Sequence, residues 1–309
     1  MFVSRSGLIT RKSLSVAGCA AFALAATFYA GAQTPKPQTS AAPAAKPAEW
    51  PDYAGSPEGN RYMPLNQITK DNVTKLGVAW SYPYAETGFN PIVAHGIVYT
   101  KARNKSVVAI DAVTGKELWV HDDLTGMTER GMNYWESKDG KDRRIIFCLA
   151  DYLQEIDATT GKFIRTFGKN GTVDLRDEMR RDPNFMRIQA SSAGKVWEDL
   201  ILLGSGTGEA YFSPPGDVRA FNVVTGKLAW QFHTIPHPGE LGYETWPKEA
   251  WRYIGGANTW GENSVDSVRG IAYFPTGSPT FDFYGADRVG NNLFGTSLIA
   301  IDARTGKRL

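Results

Sequence analysis

The segment FNVVTGKLAW (221–230) has near-copies at AIDAVTGKELW (109–119), EIDATTGKFI (155–164) and AIDARTGKRL (300–309). Each copy joins two apolar runs through an Asp or Asn and a Thr-Gly-Lys turn. The short polar side chains accept backbone hydrogen bonds in such a turn, glycine supplies a positive φ, and lysine keeps the tip in water. Each copy is therefore predicted to fold as strand, turn and strand. The landmarks Asp111, Asp157, Asn222 and Asp302 lie 46, 65 and 80 residues apart. Spacings of roughly 40–50 residues, lengthened by insertions, mark a propeller or solenoid of four-stranded units. Trp119 and Trp230, which close two of the copies, are expected to pack between neighbouring units.

Between the copies run short Val-, Ile-, Tyr- and Phe-rich stretches such as PIVAHGIVYT (91–100), RIIFCLA (144–150), LILLGSG (200–206) and GIAYFPTG (270–277). Gly, Asn, Asp and Pro separate them, so the chain reads as all-β. KEAWRYI (248–254) alone hints at a helix, and DEMRRDPNFMR (177–187) reads as a polar loop with a helical turn. The chain stops at Leu309, inside the last strand of the fourth copy. A propeller must cover the edges of its first and last blades. The expectation is a partial β-propeller of about four blades, truncated at its C-terminus, from a ring of eight.

Residues 1–32 read as an export signal, with Arg5, Arg11 and Lys12 before the apolar stretch LSVAGCAAFALAATFYAGA (14–32) and small residues at Ala30-Gly31-Ala32. An uncleaved anchor over the same stretch is the alternative, since its length approaches that of a membrane span. VAGC (16–19) mimics a lipoprotein box, but the apolar run continues past Cys19. Residues 33–48 form a Pro/Ala-rich tether too poor in apolar surface to fold, which leaves 49–309 for the propeller. The formal charge of +2 becomes about −1 once the three leader cations are removed, leaving 31 basic against 32 acidic residues. That balance excludes an electrostatic nucleic-acid binder. Cys148 is then the lone cysteine and is expected to be buried, with no disulfide available.

The ordered set WPDYAGSPEGNRYMPLNQITKDNVTKLGVAW (50–80), RGMNYW (130–135), FGKNGTVDLRD (167–177), GSGTGE (204–209), GGANTWG (255–261) and YFPTGSPTFDFYGADRVGNNLFGTSLIAIDARTGKR (273–308) resembles the quinoprotein dehydrogenases. These are eight-bladed propellers that use pyrroloquinoline quinone (PQQ), and the glucose, sugar and alcohol dehydrogenase branch is the most similar. PQQ is a flat, tricarboxylated ortho-quinone. Its pocket needs an aromatic floor, cationic partners and a hard divalent metal. The resemblance assigns Trp260 in GGANTWG to stacking beneath the ring, where a core role would be the default for an isolated tryptophan. It assigns Arg130 to a PQQ carboxylate, which a guanidinium fork can hold bidentately. It places Ser191, in QASSAG, near a hydroxyl that hydrogen-bonds the cofactor. Glu209 matches a carboxylate ligand of Ca²⁺ or another divalent cation. Ser278 in TGSP stands where a metal-binding Asn is common, and its weaker donor puts that role in doubt; Asp282 is nearby but is not counted on to replace it.

The stretch DDLTGMTERG (122–131) lacks the adjacent-cysteine disulfide of the methanol-oxidising members, so the upper face of the ring must be covered differently. The family's chemistry is proton abstraction from a substrate hydroxyl by an aspartate, with hydride transfer to a metal-polarised quinone carbonyl. By spacing, that base would follow residue 309, so the chain alone is expected to be inactive and to hold no catalytic residue of its own. The implied partners are a small alcohol or sugar and a quinone or cytochrome electron acceptor, in the periplasm, with no stable membrane span after cleavage of the leader. No Cys-x-x-Cys-His haem motif and no Gly-x-Gly-x-x-Gly nicotinamide motif occurs. His233 and His237 in FHTIPHPGE read as packing or hydrogen-bonding residues. The competing reading is a noncatalytic propeller scaffold of the outer-membrane assembly type, which would have no use for Arg130, Glu209 and Trp260 together.

Overall fold

The computed structural model describes residues 49–83, 89–179, 181–189 and 192–309; the leader, the tether and Ser191 lie outside them. Four antiparallel meander sheets follow one another along the chain. The first holds β1 (Ile92–Ala94), β2 (Ile97–Ala102), β3 (Ser106–Asp111) and β4 (Glu117–His121). The second holds β5 (Asn133–Glu136), β6 (Arg143–Leu149), β7 (Tyr152–Asp157) and β8 (Thr172–Asp174). The third holds β9 (Lys195–Trp197), β10 (Leu200–Leu203), β11 (Val218–Asn222) and β12 (Leu228–Phe232). The fourth has three strands, β13 (Ser264–Asp266), β14 (Ile271–Pro275) and β15 (Leu298–Asp302), with one further bridge from Ile301 to Arg308. The predicted helix at 248–254 shrinks to a 3₁₀ turn, Ala250–Arg252, and the 177–187 insertion carries another at Pro183–Phe185.

Why a strand such as RIIFCLA is apolar at every position after its first is answered by its two faces. Ile145 and Phe147 pack toward the first sheet with Ile92, Tyr99 and Val107, while Ile146 and Cys148 pack toward the third with Ile201, Leu203 and Phe221. Alternate side chains of a strand point to opposite faces, so a strand sandwiched on both sides loses its polar/apolar alternation. A third cluster joins Leu202, Val218 and Trp230 to Val265, Phe274 and Ile301, between the third and fourth sheets. Cys148 is buried as expected, and burial pushes its thiol up to about 12.

The four turns are built alike. Asp111 Oδ1 accepts from Thr114 N and Thr114 Oγ1, both at 2.7 Å, and Asp157, Asn222 and Asp302 repeat the pattern with Thr160, Thr225 and Thr305. Gly115, Gly161, Gly226 and Gly306 have φ of 71°, 70°, 72° and 75°. At three of the four turns an indole lies on this glycine and donates to the carbonyl following the Asp: Trp80, from the segment before β1, to Ala112 (3.0 Å), Trp119 to Ala158 (3.1 Å) and Trp230 to Ala303 (2.9 Å). A Cβ on Gly161 would sit 2.6 Å from Trp119. Trp119 and Trp230 thus pack between sheets as the sequence predicts.

The second copy departs from strand-turn-strand. After its turn only Phe163 bridges back, to Ile156, and β8 takes the edge beside Tyr152–Gln154. No tryptophan seats on Gly226; at that turn Arg144 joins the second sheet to the third, beside Trp135, whose indole donates to Glu198 O at 3.0 Å. The Arg144 guanidinium donates to Val223 O (3.0 Å), Val224 O (3.1 Å), Glu155 (2.8 Å) and Asp142 (2.6 Å). Glu155 is fully buried, and burial pushes its carboxyl up to about 8 against the pull of Arg144.

The opening segment crosses the inner strand of every sheet. Trp50 pairs with Val93 of β1, Pro51 O accepts from Tyr134 of β5 (2.9 Å), Asp52 meets Lys195 of β9 in a buried ion pair, and Pro57 O accepts from Val265 of β13 (2.8 Å).

Two outcomes test this account. Gly161→Ala forces a left-handed backbone on alanine and overpacks Trp119, and should destabilise the fold by about 2–4 kcal/mol in urea unfolding. Glu155 binds its proton more tightly folded than unfolded, so its contribution is complete below about 4.5 and is lost as pH rises through 8. Glu155→Gln should flatten the fall in urea midpoint between those values, and an unchanged slope would remove Glu155 as its source.

Candidate cofactor and metal site

The glycine-rich segment 255–260 is clamped between two loops at one end of the third and fourth sheets. Ser205 N donates to Thr259 O (3.0 Å), Asn258 Nδ2 to Ser205 O (2.6 Å), Gly277 N to Asn258 O (2.9 Å) and Ala257 N to Ser278 O (2.9 Å). The backbones approach so closely that a Cβ on Gly204 would run into Thr259, one on Gly216 into Asn258 and one on Gly255 into Ser213. Those glycines permit the approach that sets Trp260 at the end of the clamped run.

Arg130 comes from the loop before β5, far away in sequence, and meets Trp260. Its guanidinium lies 5.3 Å from the indole centroid and donates to Trp260 O at 3.2 Å. The indole remains 55% exposed, an unusual state for a tryptophan held in a rigid frame. An exposed aromatic face with a guanidinium alongside suits a planar anionic ring. The opening segment supports both residues: Tyr53 packs on Gly131, and Arg61 pairs with Glu262.

The edge of Trp260 borders Gly277, where a Cβ would lie 3.4 Å from the indole nitrogen. The next residue, Ser278, accepts from Arg288 Nη2 at 3.4 Å. Asp282 sits among these groups with Oδ1 buried and without a hydrogen-bond partner among the described residues. Burial raises its carboxyl above the usual range, the Glu209 charge raises it further, and Arg288 opposes both. Asp282, with an orphaned oxygen and its charge disfavoured by the nearby Glu209, offers with Glu209 a donor set of the kind that suits a hard cation. Glu209 opens on a cavity of about 930 Å³ that Asp151, Arg176, Arg187 and Gln189 also line. Buried hydroxyls of Ser205, Thr207 and Thr259 in the same glycine-rich loops also lack partners among the described residues.

The structure therefore joins Arg130 to Trp260 directly, and Glu209 to Ser278 through Asp282 and Arg288. Ser191 lies outside the described residues. Ser278 has the Arg288 guanidinium at its hydroxyl, which weakens the case for a second cation at that oxygen. Arg288 was not legible as a site residue. It follows Asp282 by six residues in an irregular stretch, and only the fold turns it toward Ser278. His233 and His237 lie elsewhere, stacked on each other, with His233 hydrogen-bonded to Glu240.

Over residues 50–309 the sequence matches the family described as PQQ, glucose/ethanol/alcohol dehydrogenase, beta-propeller domain. It is 30% identical, across 98% of its length, to the dehydrogenase subunit of the quinone alcohol dehydrogenase of Gluconobacter oxydans, covering 43% of that protein. It is 29% identical, across 86% of its length, to the quinone quinate/shikimate dehydrogenase of Acinetobacter baylyi, covering 37% of it. The crystal structure of quinohemoprotein alcohol dehydrogenase from Comamonas testosteroni superposes with a TM-score of 0.69 at 26% identity, covering 86% of this chain and 41% of that one. The chain thus spans about two fifths of the relatives it matches. With its repeated blades and the match over nearly all its folded length, the chain belongs to the glucose/ethanol/alcohol dehydrogenase β-propeller family, the PQQ type.

Proposed function

We propose that this chain supplies the cofactor floor and metal site of an exported, periplasmic PQQ-dependent dehydrogenase acting on an alcohol or a sugar. The observation that carries the reading is the Arg130–Trp260 pair, a half-exposed indole with a guanidinium over its ring on a rigid glycine-rich frame. Trp260 would bear one face of PQQ, and Arg130 would hold a carboxylate. Glu209 and Asp282 would hold Ca²⁺ or another divalent cation, with Arg288 fixing Ser278 beside them. When bound, PQQ supplies the acceptor for the hydride that leaves the substrate carbon. The residues of this chain orient that ring and balance its charge, and none of them is assigned the part of general base. Electrons then pass to a quinone or cytochrome partner. Among the described residues no helix is long and apolar enough to cross a membrane, and the leader at 1–32 is the basis for export.

Two titrations test the reading. PQQ should quench the tryptophan fluorescence of this chain in the presence of Ca²⁺, and Trp260→Ala should weaken that binding by about 100-fold or more, given the apolar area an indole covers. Equal affinity in wild type and Trp260→Ala would dismiss the stacking role. Ca²⁺ should raise the Tm through preferential binding to the folded state. Glu209→Gln or Asp282→Asn should shift the Ca²⁺ concentration needed by about tenfold, and a shift in neither variant would move the metal elsewhere.

A further inference from the structure

The loop after β12 brings His233, His237 and Glu240 together, with one donor atom from each lying within 4.8 Å of the others. We infer that these three residues form a binding site for a zinc-class transition-metal ion, separate from the Glu209–Asp282 carboxylates.

The loop is already folded around Glu240. His233 Nδ1 lies 2.9 Å from Glu240 Oε1 and 3.1 Å from Oε2. His237 N donates to Oε2 at 2.7 Å, and Glu240 N donates back to His237 O at 3.0 Å. Pro236 and Pro238 flank His237 and restrict the backbone on both sides. The two imidazoles stack 3.7 Å apart at 12°, and His237 leans on Trp251 at 4.6 Å. Two imidazoles with one carboxylate make a donor set of catalytic and transport zinc sites, and imidazole nitrogen is a poor ligand for a hard cation such as Ca²⁺. Tetrahedral ligation places donors about 3.4 Å apart. The present spread of 4.8 Å or less therefore closes by side-chain rotation at a partly exposed surface. The site borders a cavity of about 320 Å³, where Glu178 and Asp217 face it from other segments. Arg252 also borders this cavity, and Glu249 compensates its charge through a contact of 2.5 Å.

The ion would clip a loop that matters to the frame. Ile235, between the two histidines, packs with Trp246, Ala250, Ile254 and Ala257, and Ala257 belongs to the clamped segment that ends at Trp260.

Zn²⁺ alone is the probe, titrated calorimetrically into the full chain without PQQ and in excess Ca²⁺, so the outcome is independent of the cofactor reading. One Zn²⁺ per chain is expected, with a rise in Tm. His237→Ala and Glu240→Gln should each weaken binding by about 10–100-fold, and His95→Gln should leave it unchanged. His237 is partly exposed and its variant should fold, which circular dichroism checks. Absence of stoichiometric zinc, unchanged affinity in His237→Ala, or loss in His95→Gln would overturn the site.

Discussion

Sheet-to-sheet attachment in this protein leans on one recurrent joint: a flat side chain aims an N–H at the carbonyl beyond a turn-forming Asp or Asn, and where that side chain is an indole it also covers the left-handed glycine of the turn. Trp119 and Trp230 make it with an indole, and Trp80 repeats the contact on the first sheet from the segment that precedes it. The joint is specific because it satisfies a buried polar pair and fills volume at once. Where no tryptophan covers the glycine, Arg144 reaches the equivalent carbonyl of Val223, with Asp142 balancing its charge and burial raising the carboxyl of Glu155 against the pull of Arg144. Two unlike side chains thus meet one geometric demand.

The site is built on the same economy of backbone. Trp260 and Arg130 are held less by their own contacts than by glycines that let neighbouring strands press together and by the opening segment, which braces Gly131 through Tyr53 and Glu262 through Arg61. Positioning of the pair is therefore distributed over residues beyond it, as precise sites require.

Most of the fold was legible because its information is local. A turn that needs Asp, Thr and a positive φ announces itself in any copy, and four copies at propeller spacing define the architecture. The second copy's shortened return strand was not legible, since Phe163 and Ile164 are as apolar as a full strand; the edge was settled by β8 from further along the chain. For the site, Trp260, Arg130 and Glu209 were reached only through family resemblance, because nothing in an isolated tryptophan or arginine distinguishes stacking from packing. Asp282 and Arg288 fall in an aperiodic loop, and their meeting with Glu209 and Ser278 is a purely tertiary fact.

The path of residues 50–58 has a consequence for how the molecule assembles. This stretch touches β1, β5, β9 and β13, so its last contacts join residues more than two hundred positions apart, Pro57 to Val265 among them. Such distant pairings are slow to form because the loop they close is long. Asp52 and Lys195 can shed their water only when both sides are present. The chain makes its clasp first and fastens it last.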